Sequence, residues 1–189
     1  MNRESCPGPD SISFIIFDKA GLTVQKYYTS ILNACLKTGH FPKPWKRENR
    51  IYIKKANKEN YHTEKSYRPL SLSNIMAKIF ERIMMNRIAQ DLTESKFFKG
   101  KSMFAYQKGK SSAQALLHLV QNMHDAVTKK KVGGAFMTDL EGAYDSTWRE
   151  GVIYKLYMAG ISGNMLRLCH SFLNNRQSRN LVNSHVSDW

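Results

Sequence analysis

An α+β chain rich in helix is the fold class this sequence predicts, on three observations. Long stretches carry apolar residues at three-four spacing, as an amphipathic helix does: Val24, Tyr27, Tyr28, Ile31, Leu32, Cys35 and Leu36 in one, Ile75, Met76, Ile79, Phe80, Ile83, Met84, Ile88 and Leu92 in another. Residues 50–55 alternate with period two, and Pro69 holds Arg68 extended in the segment 67–72, so two strands are expected there. Residues 134–138 form a short apolar run that releases Asp139 before a Gly-containing turn. That run reads as a buried strand delivering a carboxylate to its end, where α/β proteins place metals and substrates.

Taken in order, Pro7-Gly8-Pro9-Asp10 is a rigid turn, and Asp10 is placed to cap the helix after it. That short helix, over 12–19, is closed by Gly21, and a longer one over 23–37 ends at Gly39. Phe41-Pro42-Lys43-Pro44-Trp45 then reads as an extended connector, since each proline restricts the residue before it. The strand over 50–55 and the segment 67–72 are joined by a polar, aperiodic loop, which makes a hairpin. Lys55 and Arg68 flank its root or face one side, the register being open, as is the choice between Lys54 and Lys55.

Ser73 or Asn74 caps the next helix, which runs to about Leu92 with Lys78, Glu81, Arg82, Asn86 and Arg87 on its wet face. Residues 96–112 are basic and aperiodic, with Phe97, Phe98, Phe104 and Tyr106 between the lysines. Two readings stay open for them: rings that stack on bases along a nucleic-acid strand, or aromatics that anchor a solvated loop. Helical periodicity resumes over 112–128. After the apolar run and Asp139, Thr147 and Glu150 have capping-box spacing for a helix stopped by Gly160. Ser162 begins another helix, and residues 176–182 begin a strand.

Composition narrows the function. The 189 residues carry 29 Lys and Arg against 15 Asp and Glu, a formal net charge of +14, the footprint of a nucleic-acid binder, which an acidic protein partner or a membrane face also fits. Three well-separated cysteines make neither a disulfide framework nor a zinc spacing, and no His-Glu-x-x-His motif occurs among six histidines. No apolar run near the start is long enough to span a bilayer, and residues 1–10 are too polar for a signal peptide. An intracellular chain, in nucleus or cytoplasm and not secreted, is expected.

Taken together, the blocks Pro7–Asp10, Trp45 to Lys55, Tyr67-Arg68-Pro69-Leu70-Ser71-Leu72, the run from Phe104 to Ser112, and Phe136-Met137-Thr138-Asp139 to Asp145 occur in one order. That order resembles the reverse transcriptases of non-LTR (LINE-like) retrotransposons. The resemblance implies a right-hand polymerase: an N-terminal helical extension (1–45), fingers (46–133), a palm strand with the first catalytic motif (134–148), and helices leading to a strand pair with the palm incomplete (149–189). It implies RNA-directed DNA synthesis by two-metal nucleotidyl transfer, with RNA template, DNA primer and deoxynucleoside triphosphates as partners and two Mg2+ ions as cofactors.

In that likeness Asp139 is the catalytic metal ligand, joined by the backbone carbonyl of Leu140, and Asp145 supports them. Lys55 and Arg68 grip the triphosphate, and Tyr144 fills the space a 2′-hydroxyl would need. Lys101, Lys108, Lys110 and Ser111 lie toward nucleic acid. The later Asp-Asp and Pro-Gln-Gly motifs of these enzymes do not occur in the 189 residues. Since one carboxylate does not hold two divalent ions, the chain alone is expected not to polymerise. The other class of reading is a non-enzymatic RNA- or DNA-binding relic of such an element.

Overall fold

Six helices and a small mixed sheet make up the computed structural model, which describes residues 5–94, 103–107, 109–140, 142–183 and 185–189. The elements are α1 (Phe14–Lys19), α2 (Gly21–Thr38), β1 (Arg47–Lys54), β2 (Tyr67–Ser73), α3 (Ile75–Glu94), α4 (Ser112–Thr128), α5 (Arg149–Met158), α6 (Gly163–Leu173), β3 (Gln177–Val182) and β4 (His185–Val186). The α+β class therefore holds. Residues 1–91 and 149–189 form one unit and residues 92–148 a second.

The first unit is built on the expected hairpin. β1 and β2 are antiparallel in a register that sets Ile53 opposite Arg68 and Lys54 opposite Tyr67. The sheet order is β2-β1-β3-β4, with β3 parallel to β1 and β4 antiparallel to β3. A parallel neighbour requires a long crossover, and here everything from β2 through α6 lies between the two strands. The strand expected over 176–182 thus becomes a pairing partner for the first half of β1.

The core sits where α2, α3 and α6 meet the turn before β1. Tyr28, Leu32 and Cys35 are buried on α2, Ile75, Ala77, Phe80, Met84 and Ile88 on α3, and Leu168 and Cys169 on α6. The three-four reading of α3 is realised at steps of about one turn. On α2 only half of the expected stripe is covered, because Val24, Tyr27 and Ile31 remain exposed. Tyr28 also donates from its hydroxyl to the Met76 carbonyl at 2.5 Å, and burial pushes its phenol well above the ordinary range. Gly39 ends α2 in the left-handed region at φ 68, and a Cβ there would lie 2.8 Å from Arg167 Cβ, so both conformation and close helix approach ask for glycine.

Residues 41–45 correct the expectation of an extended connector. Lys43–Lys46 is a 3-10 turn with proline in its first positions, where a missing N–H costs nothing. Phe41 is fully buried and its ring stacks on Phe80 at 5.6 Å, with Phe172 and Trp45 edge-on at 5.1 and 5.9 Å. All three cysteines are free, Cys6 exposed and Cys35 and Cys169 buried. Burial pushes the Cys169 thiol up to about 11.

Asp10 caps its own turn by accepting from Ile12 N–H at 3.1 Å rather than capping α1. The Pro7–Asp10 block has a packing reason. A Cβ on Gly8 would fall 2.5 Å from the backbone nitrogen of Asn74 and 2.6 Å from the Ser73 carbonyl carbon, at the β2–α3 junction. Neither atom moves cheaply, so Gly8→Ala is expected to cost about 1–3 kcal/mol, the scale of overpacking. Chemical denaturation checks this; wild-type stability in the variant would refute it.

In the second unit α4 is tied off by a capping box: Ser111 Oγ accepts from Gln114 N–H and the Gln114 side chain accepts from Ser111 N–H at 2.9 Å. The strand expected over 134–138 does not form. Among the described residues nothing pairs with it, and Phe136 and Met137 are 93% and 81% exposed. An apolar run becomes a strand only where a ladder partner satisfies its backbone. The helix expected to begin at Thr147 starts at Arg149, and Thr147 donates back to the Ala143 carbonyl at 2.7 Å.

Candidate nucleotide and nucleic-acid sites

The hairpin sets Lys54 and Lys55 on opposite faces. Side chains alternate across a strand, and Lys55 N–H continues the ladder by donating to the Ser66 carbonyl at 2.9 Å. Ile53, Lys55 and Arg68 therefore share one face, since Ile53 stands opposite Arg68. Lys54 falls on the other face with Tyr67, its ammonium 5.0 Å over the Tyr61 ring. Lys55 itself donates to the Lys65 carbonyl at 2.7 Å, and its own carbonyl accepts from the Tyr61 hydroxyl at 2.7 Å. The connecting loop is thus buttressed at its root, where Ser66 also donates to the Asn60 carbonyl. Two cations, one a planar fork and one a point charge, stand side by side on a solvent-facing surface, which suits phosphate oxygens.

Asp139 lies in the second unit. It is exposed, and its carboxylate accepts from the N–H of Leu140 at 2.9 Å. The carboxylate and the neighbouring carbonyl are hard oxygen donors of the type Mg2+ takes, usually one or two carboxylates completed by phosphates and water. Among the described residues no group of three His, Cys, Asp or Glu side chains is gathered. The donor chemistry fits Mg2+ as a shared ligand set rather than a self-contained cage. Asp145 is exposed nearby in sequence.

Tyr144 is 82% exposed, and its hydroxyl lies 2.5 Å from that of Tyr106. That hydrogen bond is the main reason the Tyr144 phenol is shifted upward, with the neighbouring Tyr106 charge adding to it. Tyr106 is held at φ 57 and is 91% exposed. In sequence it is only one member of a basic-aromatic stretch; positive φ on a bulky residue is visible in structure alone. Of the lysines expected at nucleic acid, Lys101 and Lys108 lie outside the described residues. Lys110 donates to the Met103 carbonyl at 2.8 Å and sits 5.4 Å over the Phe104 ring. Phe104 in turn meets His118 of α4 at 5.7 Å. Of the two open readings, anchoring describes Phe104, while Tyr106 presents its ring to solvent.

No helix among the described residues is long and apolar enough to cross a membrane. The family model described as reverse transcriptase (RNA-dependent DNA polymerase) matches residues 53–187. Among curated proteins, the probable RNA-directed DNA polymerase from transposon BS of Drosophila melanogaster is 29% identical over 150 residues, 79% of this chain and 16% of that protein. The RNA-directed DNA polymerase from mobile element jockey of the same species is 32% identical over 69% of this chain and 14% of that protein. A putative 115 kDa protein in its type-1 retrotransposable element R1DM is 26% identical over 94% of this chain and 17% of its own length. The chain thus spans about one sixth of the relatives it matches. With a family match that runs from the end of the hairpin's first strand to the last strand pair, the chain belongs to the reverse transcriptase (RNA-dependent DNA polymerase) family, of the kind carried by non-LTR retrotransposons.

Proposed function

We propose that this chain supplies the nucleotide-gripping fingers and the first palm motif of an RNA-directed DNA polymerase that extends a DNA primer on an RNA template. In this reading residues 1–45 are a helical extension, 46–133 the fingers, 134–148 the first palm motif and 149–189 its continuation. The observation that carries it is the family match over 53–187, which takes in Lys55, Arg68, Asp139 and Tyr144.

Each residue has a task its chemistry supports. Arg68 would fork onto phosphate oxygens and Lys55 would add a point charge from the same face. Asp139 and the Leu140 carbonyl would hold Mg2+, which when bound supplies positive charge to the attacking and leaving oxygens. The Tyr144 ring would exclude a 2′-hydroxyl by volume, held in place through Tyr106. Lys101, Lys108, Lys110 and Ser111 would face nucleic acid, with the Ser111 hydroxyl already engaged in capping α4. Asp145 would support the turn that carries Tyr144.

The test is equilibrium binding of a fluorescent deoxythymidine triphosphate analogue to the 189-residue chain with Mg2+. Arg68→Gln is expected to weaken it about 10- to 100-fold, from loss of charge-assisted hydrogen bonds worth about 1.5–3 kcal/mol. Absence of Mg2+-dependent binding, or indifference to Arg68→Gln and Lys55→Gln, would overturn the reading; RNA binding surviving alone would leave a nucleic-acid-binding module. The chain by itself is expected not to extend a primer, since its 189 residues contain no Asp-Asp pair. Extension abolished by Asp139→Ala would refute that.

A further inference from the structure

A second basic site lies at the opposite end of β1 from Lys55 and Arg68. An open cleft of about 610 Å3 is lined by His40, Lys43, Lys46, Asn175, Arg176 and Gln177, with no carboxylate among them. Lys46 is the unusual member. The residue is only 7% exposed, and lysine is almost never buried without a counter-charge. Among the described residues its ammonium makes one hydrogen bond, to Ser171 Oγ at 3.4 Å. That oxygen already accepts from Phe41 N–H at 3.0 Å. An ammonium has three donors, so among the described residues two have no protein acceptor.

Arg176 adds positive charge to the same lining, although it is itself paired: one guanidinium nitrogen lies 3.0 Å from Glu48, and the other, buried without a hydrogen bond, lies 3.9 Å from Glu81. Burial, and after it the nearby Arg176 charge, pull the Lys46 amine downward from its ordinary range, as expected of an ammonium set beside another cation. Lys43 is exposed at the rim. Asn175, held in the left-handed region at φ 57, is on the same lining.

We propose that this cleft binds a backbone phosphate of a nucleic-acid strand, through Lys46 and Lys43 with Asn175 as a neutral donor. A tetrahedral phosphate offers several oxygens at once to converging donors, and it supplies the anion that the buried ammonium lacks. Lys46 and Lys55 bracket β1, so at about 3.3 Å per residue they stand about 30 Å apart. No single nucleoside triphosphate reaches both, whereas a bound strand covering several nucleotides does. Nucleic acid as the source of the phosphate rests on the polymerase reading; the surplus of donors over acceptors does not.

The experiment measures anisotropy of a labelled oligouridylate with the 189-residue chain across a series of NaCl concentrations, beside melts in inorganic phosphate and in chloride at matched ionic strength. Lys46→Met and Lys43→Gln are each expected to weaken RNA binding several-fold and to reduce the log–log salt slope by about 0.7, one single-strand phosphate contact. Lys26→Gln, on the exposed side of α2, is expected to change neither. Phosphate should raise the melting temperature of the wild type and not of Lys46→Met, which itself should melt no lower than wild type because a buried unpaired charge is gone. Should Lys46→Met fail to fold, the rim variant Lys43→Gln decides. Unchanged RNA affinity and slope in the cleft variants overturn the proposal; if phosphate still stabilises only the wild type, the cleft takes a free anion instead. Failure of the polymerase reading is seen separately, in triphosphate binding through Lys55 and Arg68.

Discussion

Phe41→Ala will cost about 3–5 kcal/mol of stability, the range for deleting a fully buried aromatic ring. Phe41 is 0% exposed and its ring touches Phe80, Trp45 and Phe172 together. Deleting it removes a stacked pair and two edge contacts in one step, and such pairs add to the loss of buried area. The surrounding wall comes from α3, α6 and a proline-fixed turn, which leaves little freedom to collapse into the space. Against a total stability of about 5–15 kcal/mol the first unit would be left marginal. Phe136→Ala is the contrasting case. That ring is 93% exposed, so the change should stay within about 0.5 kcal/mol. Urea denaturation of both variants gives the comparison, and a Phe41→Ala loss no larger than that of Phe136→Ala would refute the placement of the core.

The pair also marks how far the sequence can be read. Periodicity identifies α2, α3 and α6 because an amphipathic helix writes its buried face into local spacing, and it identifies α4 by the same spacing although no residue there is buried. Alternation and Pro69 identify the hairpin, while the face shared by Lys55 and Arg68 waits on the register, which the sequence leaves open. Phe41 escapes because burial of a loop residue depends on what distant chain folds over it, here Phe80 and Phe172. Phe136 is misplaced for the converse reason: an apolar run specifies that a strand is possible, while the partner that would make it one lies elsewhere. The capping boxes show the same limit locally. Ser111-x-x-Gln114 and Thr147-x-x-Glu150 look alike in sequence; the first closes a box, while the Thr147 hydroxyl donates to the Ala143 carbonyl. Lys46 escapes notice because a lysine beside prolines looks solvated, and its burial depends on α6 supplying Ser171 across 125 positions. Glu81 reads as part of a wet helix face and is instead drawn toward Arg176.

That last contact carries the second large effect. Arg176→Met is expected to cost about 2–3 kcal/mol, less than the roughly 3–5 kcal/mol of a fully buried pair because the group keeps some solvent. Arg176 sits just before β3, 3.0 Å from Glu48 and 3.9 Å from Glu81, with the Glu48 side chain only 12% exposed. Ser71 also donates to Glu48 at 2.8 Å, so the carboxylate is fixed where the arginine leaves it. Without the guanidinium, two carboxylates face each other with no cation between them. The loss should depend on pH, and the sign comes from Glu81. Burial already holds its carboxyl above the ordinary range, Glu48 adds to the shift, and Arg176 opposes it. A carboxyl raised in the folded state destabilises once ionised and is relieved as pH falls toward its unfolded value. Removing Arg176 strengthens that shift, so the variant should regain part of its deficit between neutral pH and about pH 5. Glu48→Gln in the Arg176→Met background should recover about 1 kcal/mol or more, a coupling expected only of groups in contact. Equal deficits at both pH values together with no rescue would show that Arg176 acts through its packing on Phe172, whose ring lies 4.8 Å from the guanidinium, and not through charge.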